Sequence, residues 1–164
     1  MMWLGKINDA VGRVMAWLVL VLTVIVFYDV CMRFLFRAGS PALQELEWHL
    51  FALIFLLGAA ATYKVQGHVR VEVLYQNLSP RTQTIINTLG DMFILLPVCV
   101  VIIKTSIPFV EAAWSYDESS PDPGGLSYRW LIKAAIPAGF FLLAFQAIVN
   151  IVSNLSMLIR DREN

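Results

Sequence analysis

Apolar residues gather into four long runs, roughly Val14 to Phe36, Leu46 to Tyr63, Ile85 to Ile107 and Leu131 to Leu155, separated by short polar stretches. Each run is near the ~20 residues a helix needs to cross the hydrocarbon core of a bilayer. Backbone N–H and C=O groups cannot go unpaired in lipid, so runs of this length cross as helices. The ten-residue alternation of an outer-membrane barrel is absent. The pattern predicts an all-α integral membrane protein, a single four-span domain over residues 1–164.

One stretch departs from the pattern. Lys64 to Pro80 reads KVQGHVRVEVLYQNLSP, and its HVRVEVL core alternates polar and apolar residues like a strand. A lone strand there has unpaired edges at the membrane. Val71, Leu74, Tyr75 and Leu78 instead fall at i, i+3, i+4 and i+7, one face of a helix. The spacing predicts a short amphipathic helix on the cytoplasmic interface between spans two and three.

Ser79 before Pro80 supplies an N-cap and a first-turn proline, so the third helix is predicted to start there. Pro97 removes a backbone hydrogen bond mid-helix and predicts a kink, and Pro108 predicts the end of the regular helix. Gly58-Ala59-Ala60-Ala61 presents small residues that permit close helix approach. Trp3, Trp17, Trp48, Trp114 and Trp130 mostly flank the spans, as interfacial anchors do. Ser119 to Ser127, SSPDPGGLS, reads as a turn-rich external loop.

Composition agrees with this reading: 59% of the 164 residues are hydrophobic and 15% charged, against about 25% charged in soluble domains. The first thirty residues resemble a signal sequence but lack a small-x-small cleavage site, and read as a retained anchor and first span. With the N-terminus inside, Lys6, Arg13, Lys64, Arg70, Arg81, Arg160 and Arg162 are cytoplasmic; Arg33, Arg37, Lys104, Arg129 and Lys133 are external. This bias places both termini inside. Glu111, Asp117, Glu118 and Asp122 then make the loop between spans three and four an acidic external surface. Formal net charge is zero, so nucleic acid is not a partner.

Charged residues within spans are functional candidates by default. Asp29 and Arg33, four apart, read as a structural pair on one helix face. Asp91 has two readings, solvation near the headgroups or contact with a partner helix, and Lys104 can snorkel outward. Cys31 and Cys99 read as buried thiols, with neither disulfide nor zinc spacing. A haem-anchoring role needs paired ligands, but His49 and His68 lie 19 residues apart, at opposite sides of the bilayer. No GxSxG elbow, HExxH or Walker loop is present, nor an inverted repeat around a midplane site.

The block from Gln44-Glu45 through Trp48 and Leu57-Gly58-Ala59-Ala60 to Gly67-His68-Val69-Arg70-Val71-Glu72 resembles the small membrane subunit of tripartite ATP-independent periplasmic (TRAP) transporters, the DctQ-like family. Gln44 stands where family members often carry the first of two acidic residues. A second block, Ser120-Pro121-Asp122-Pro123-Gly124-Gly125-Leu126 followed by Trp130, Lys133, Ile136-Pro137 and Gln146, also resembles the family. Its Ser-Pro-Asp-Pro-Gly-Gly form is similar to a branch labelled for mannitol or chloroaromatic compounds, whose binding proteins include some for 2-oxo acids.

The resemblance implies a non-catalytic chain, without cofactor, in the bacterial inner membrane. Its obligate partner is a large subunit, where sodium coupling, substrate binding and elevator motion are expected; a periplasmic binding protein delivers an organic anion, usually a carboxylate. The small subunit serves as scaffold. Glu45, Trp48, Gly58, Gly67, His68, Glu72, Gly124, Gly125, Trp130, Pro137 and Gln146 become structural or partner-interface candidates. Glu118 and Asp122 have two readings, contact with the binding protein or a solvated loop, and His68 has two, holding the turn at Gly67 or touching the large subunit. The rival from another class is a membrane anchor subunit of a respiratory or other enzyme complex.

Overall fold

The apolar runs become helices that continue past the hydrocarbon-length segment at one or both ends. In the computed structural model, which describes residues 2–64 and 78–163, these are α1 (Met2–Phe36), α2 (Pro41–Lys64), α3 (Pro80–Gly90), α4 (Leu96–Ser115) and α5 (Trp130–Glu163). A π-helical turn, Asp91–Leu95, joins α3 to α4 so that 80–115 forms one span. No strand occurs among the described residues, and four helical stretches are long and apolar enough to cross a membrane. The interfacial helix expected after Lys64, with Gly67, His68 and Glu72, lies outside the described residues.

Helix ends follow local chemistry. Ser79 caps α3, its hydroxyl accepting the Thr82 N–H at 3.2 Å, with Pro80 in the first turn as expected. Leaving α1, Arg37 takes φ 55° and the Ala38 N–H reaches back to the Met32 carbonyl at 3.2 Å. Asp117 does the same after α4 with φ 46°, and the Glu118 N–H bonds Ala113 O at 3.0 Å. Both are left-handed C-terminal closures that satisfy orphan carbonyls.

The third span corrects one expectation and refines another. Pro108 does not end the regular helix: α4 runs through it to Ser115. A proline is tolerated inside a span where side chains, neighbouring helices or a local adjustment of the helix can re-satisfy the freed carbonyl. Ahead of Pro97 the chain widens into the π turn, where the Leu96 N–H bonds the Asp91 carbonyl five residues back. A proline ring crowds the carbonyl four residues before it, and a wider turn relieves that crowding.

Three helix pairs dominate the packing: α1 with α2, α2 with α5, and α5 with α4. The spatial order is therefore span one, two, four, three, a row in which α5 separates the two spans that precede it. The buried apolar residues are mostly small, among them Ala60, Cys99, Ala113, Ala135 and Ala147. Lipid offers no hydrophobic drive between helices, so close backbone approach must come from such residues. Gly139 makes the tightest approach of one helix to another among the described glycines: a Cβ there meets the Leu56 carbonyl oxygen at 2.5 Å. Large side chains such as Phe27, Phe55 and Phe93 point outward.

Candidate functional site

The residues singled out by sequence assemble chiefly at the end of the molecule where α2 begins and α5 begins. Glu45, in the second turn of α2, is buried and projects its carboxylate into the 116–129 connection. Its Oε1 accepts the Ser120 hydroxyl and its Oε2 the Leu126 N–H at 2.6 Å. Both oxygens are thus occupied by donors from a segment about eighty residues away in sequence, and hydrogen bonds to a charged acceptor are stronger than those between neutral groups.

The loop itself is tightly wound. Ser120 N–H bonds Leu126 O at 3.0 Å, Gly125 N–H bonds Asp122 O at 2.9 Å, and Asp122 N–H bonds the Ser120 hydroxyl oxygen at 3.1 Å. Gly124 takes φ +82°, a conformation open to glycine at little cost. Gly125 is required for space, since a Cβ there lies 2.4 Å from Ser120 Oγ and 2.9 Å from Glu45 Oε2. The two glycines of the motif therefore have different reasons: one for backbone conformation, the other for access of the carboxylate.

Aromatic and basic side chains surround this clamp. Trp48 lies against His49 with ring centroids 3.9 Å apart, and the Arg129 guanidinium sits 5.7 Å from the Trp48 ring centre. Trp130 meets Trp114 edge-on at 4.5 Å, joining the start of α5 to the end of α4. Lys133 pairs with Glu118 and places its Nζ 3.9 Å from the Phe109 ring centre. Glu118 is therefore engaged within the chain, whereas Asp122 is exposed at the loop tip.

At the opposite end, Gln146 is buried and accepts Asn8 Nδ2 at 2.8 Å while donating to Asn150 Oδ1 at 2.9 Å. Lys64 pairs with Asp9 at 2.6 and 2.7 Å. Asp91 is not left to headgroup solvation: it is buried within the chain, and the hydroxyl of Tyr63, on the neighbouring helix α2, donates to it. The serial packing brings the end of α2 beside the π turn, which spacing within one span could not reveal. Asp29 and Arg33 pair as expected, with Asp29 fully buried and Arg33 half-exposed.

Other expected residues fall apart from both clusters. Gly58 faces Met15 at ordinary distance, 3.8 Å from a built Cβ to Met15 Cβ. Pro137 lies inside α5, one turn past Lys133. Sequence reasoning missed Asn8, Tyr63, Gly139 and the role of Ser120. The only signals were an isolated amide at an apolar flank for Asn8 and a Pro-x-Gly spacing for Gly139.

No group of three or more metal-ligating side chains occurs among the described residues. Fold and site together define a multi-pass membrane protein in which several buried polar residues join its own helices and pin the 116–129 loop. Comparison with known proteins identifies which: the family model for the DctQ component of tripartite ATP-independent periplasmic transporters matches residues 22–157. The chain also resembles a Haemophilus influenzae protein provisionally named a TRAP transporter small permease protein, 30% identical over 138 residues, covering 84% of this chain and 85% of the relative. The chain belongs to the DctQ family and is a small membrane subunit of a TRAP transporter. Families of this kind work with a larger membrane protein and a binding protein.

Proposed function

We propose that the chain is the scaffold subunit of a sodium-coupled, binding-protein-dependent importer of an organic anion, most simply a carboxylate. The supporting observation is the row of spans. An open row offers two broad apolar faces, and its outer helices expose bulky residues such as Phe27 and Phe93. One face suits a large membrane partner and the other suits lipid, which is what a fixed support needs if a neighbouring domain moves against it. Two acidic groups buried in the spans are tied to residues of this chain, Asp29 through one oxygen to Arg33 and Asp91 to Tyr63. Substrate and sodium handling then belong to the partner.

On this reading the chain lies in the inner membrane with both termini cytoplasmic, so that the clamped 116–129 loop is periplasmic. Asp122, exposed at the tip, is better placed than the paired Glu118 to meet a binding protein. The test is uptake in proteoliposomes containing the large subunit with and without this chain. Sodium- and binding-protein-dependent uptake of an organic acid that falls to background without this chain is the expected result; undiminished uptake by the large subunit alone overturns the scaffold role.

A further inference from the structure

A cleft of about 630 Å³ opens beside the Glu45 clamp, between the start of α2 and the loop, lined in part by Gln44, Glu45, Trp48, Pro121, Asp122 and Arg129. Its volume falls within the ~300–1,000 Å³ of small-ligand clefts. The clamp itself does not use it: Glu45 spends both oxygens on Ser120 and Leu126. Arg129 lines the cleft as a half-buried side chain; its Nε–H is buried out of reach of a ligand there, so the accessible part of the side chain is what a bound group can meet. The guanidinium also packs over the Trp48 ring, so the cleft presents a cation and an aromatic wall side by side.

The place constrains the ligand. Trp48 lies within the first turns of a membrane-crossing helix and Arg129 immediately precedes another, a level at which aromatic and basic side chains meet lipid headgroups. The charge balance constrains it further. One guanidinium faces two carboxylates, Glu45 within the clamp and the exposed Asp122 at the rim. A purely anionic headgroup satisfies Arg129 but meets an excess of negative charge; a headgroup carrying its own ammonium satisfies both signs.

We propose that this cleft binds the phosphoethanolamine headgroup of a membrane phospholipid, the phosphate on Arg129 and the ammonium toward Asp122 and the Trp48 face. A bound headgroup bridges α2, the loop and the entry to α5. Lipid thereby becomes part of the rigid external end.

The full-length chain, purified in detergent and stripped of lipid, is titrated with phosphatidylethanolamine, phosphatidylglycerol of matched acyl chains, or soluble phosphoethanolamine, and thermal unfolding is followed. Phosphatidylethanolamine is expected to raise Tm by roughly 5 °C at saturation and phosphatidylglycerol by clearly less. Arg129→Gln abolishes the gain. Asp122→Asn, at an exposed position that leaves the fold untouched, narrows the gap between the two lipids by improving phosphatidylglycerol. Equal gains from both lipids in the natural chain, or an unaltered preference in Asp122→Asn, overturn the proposal. An equal gain from soluble phosphoethanolamine does so too, since it assigns the cleft to a free phosphomonoester.

Discussion

Glu45 owes its importance to what approaches it. The Ser120 hydroxyl and the Leu126 N–H converge on its two oxygens only because Gly125 leaves the space. Glu45→Ala is therefore expected to lower Tm measurably, as donors in the folded loop lose a charged acceptor. Limited proteolysis within 116–129 should accelerate in that variant, and Glu45→Gln should fall between it and the natural chain. Glycines offer a second contrast. Gly139→Ala drives a Cβ into the Leu56 carbonyl and is expected to destabilise by roughly 1–3 kcal/mol, whereas Gly58→Ala meets only ordinary contact with Met15 and should unfold close to the natural chain in the same detergent melt. Sequence drew attention to Gly58, in a run of small residues, and passed over Gly139. A run is visible in one dimension; a backbone approaching from another helix is not.

Among the elements, the third span was read with mixed success. Ser79 and Pro80 mark its start through bonds made within one turn, and such local chemistry is legible in sequence. Ser79→Ala is expected to cost about 1 kcal/mol through loss of the cap, seen as faster amide exchange in residues 81–84 with little change elsewhere. The prolines were harder. Pro108 is carried inside α4, and Pro97 follows a π turn that also brings Asp91 to Tyr63. Whether a proline ends, bends or widens a helix depends on how the freed carbonyl is re-satisfied, which the position of the proline in the sequence does not fix. Tyr63→Phe should test the link: it leaves buried Asp91 with one fewer donor and is expected to lower Tm, while Tyr28→Phe, on an exposed face, should not.

Across the whole molecule, the row order of spans decides which pairs can meet. A built Cβ at Gly58 lies 3.8 Å from Met15 Cβ, within the ~3.5–4.5 Å a disulfide spans. With Cys31 and Cys99 replaced by serine, Gly58→Cys plus Met15→Cys is expected to crosslink under mild oxidation, seen as reducible protection of the α1–α2 hairpin from separation after cleavage in the α1–α2 turn. Absence of the crosslink in folded protein would contradict the register of α1 on α2. The row also leaves α1 and α4 at the edges, which is where the proposed support for a large partner must be judged by uptake.

The number of spans and their helical character, the cap at Ser79 and the Asp29–Arg33 pair were all written in the chain. Lipid imposes length and hydrogen-bond closure on any crossing segment, and caps and i,i+4 pairs act within a few residues. The quoted motif blocks also marked the family, because they keep residue types in order along the sequence. Tertiary structure alone decided that α5 enters between spans two and three, that Glu45 holds a loop from the far half of the chain, and that Asp91 is buried against Tyr63. Apolar helices in lipid are nearly interchangeable by composition, so only the matching of small faces and buried polar groups across helices selects which neighbours they take.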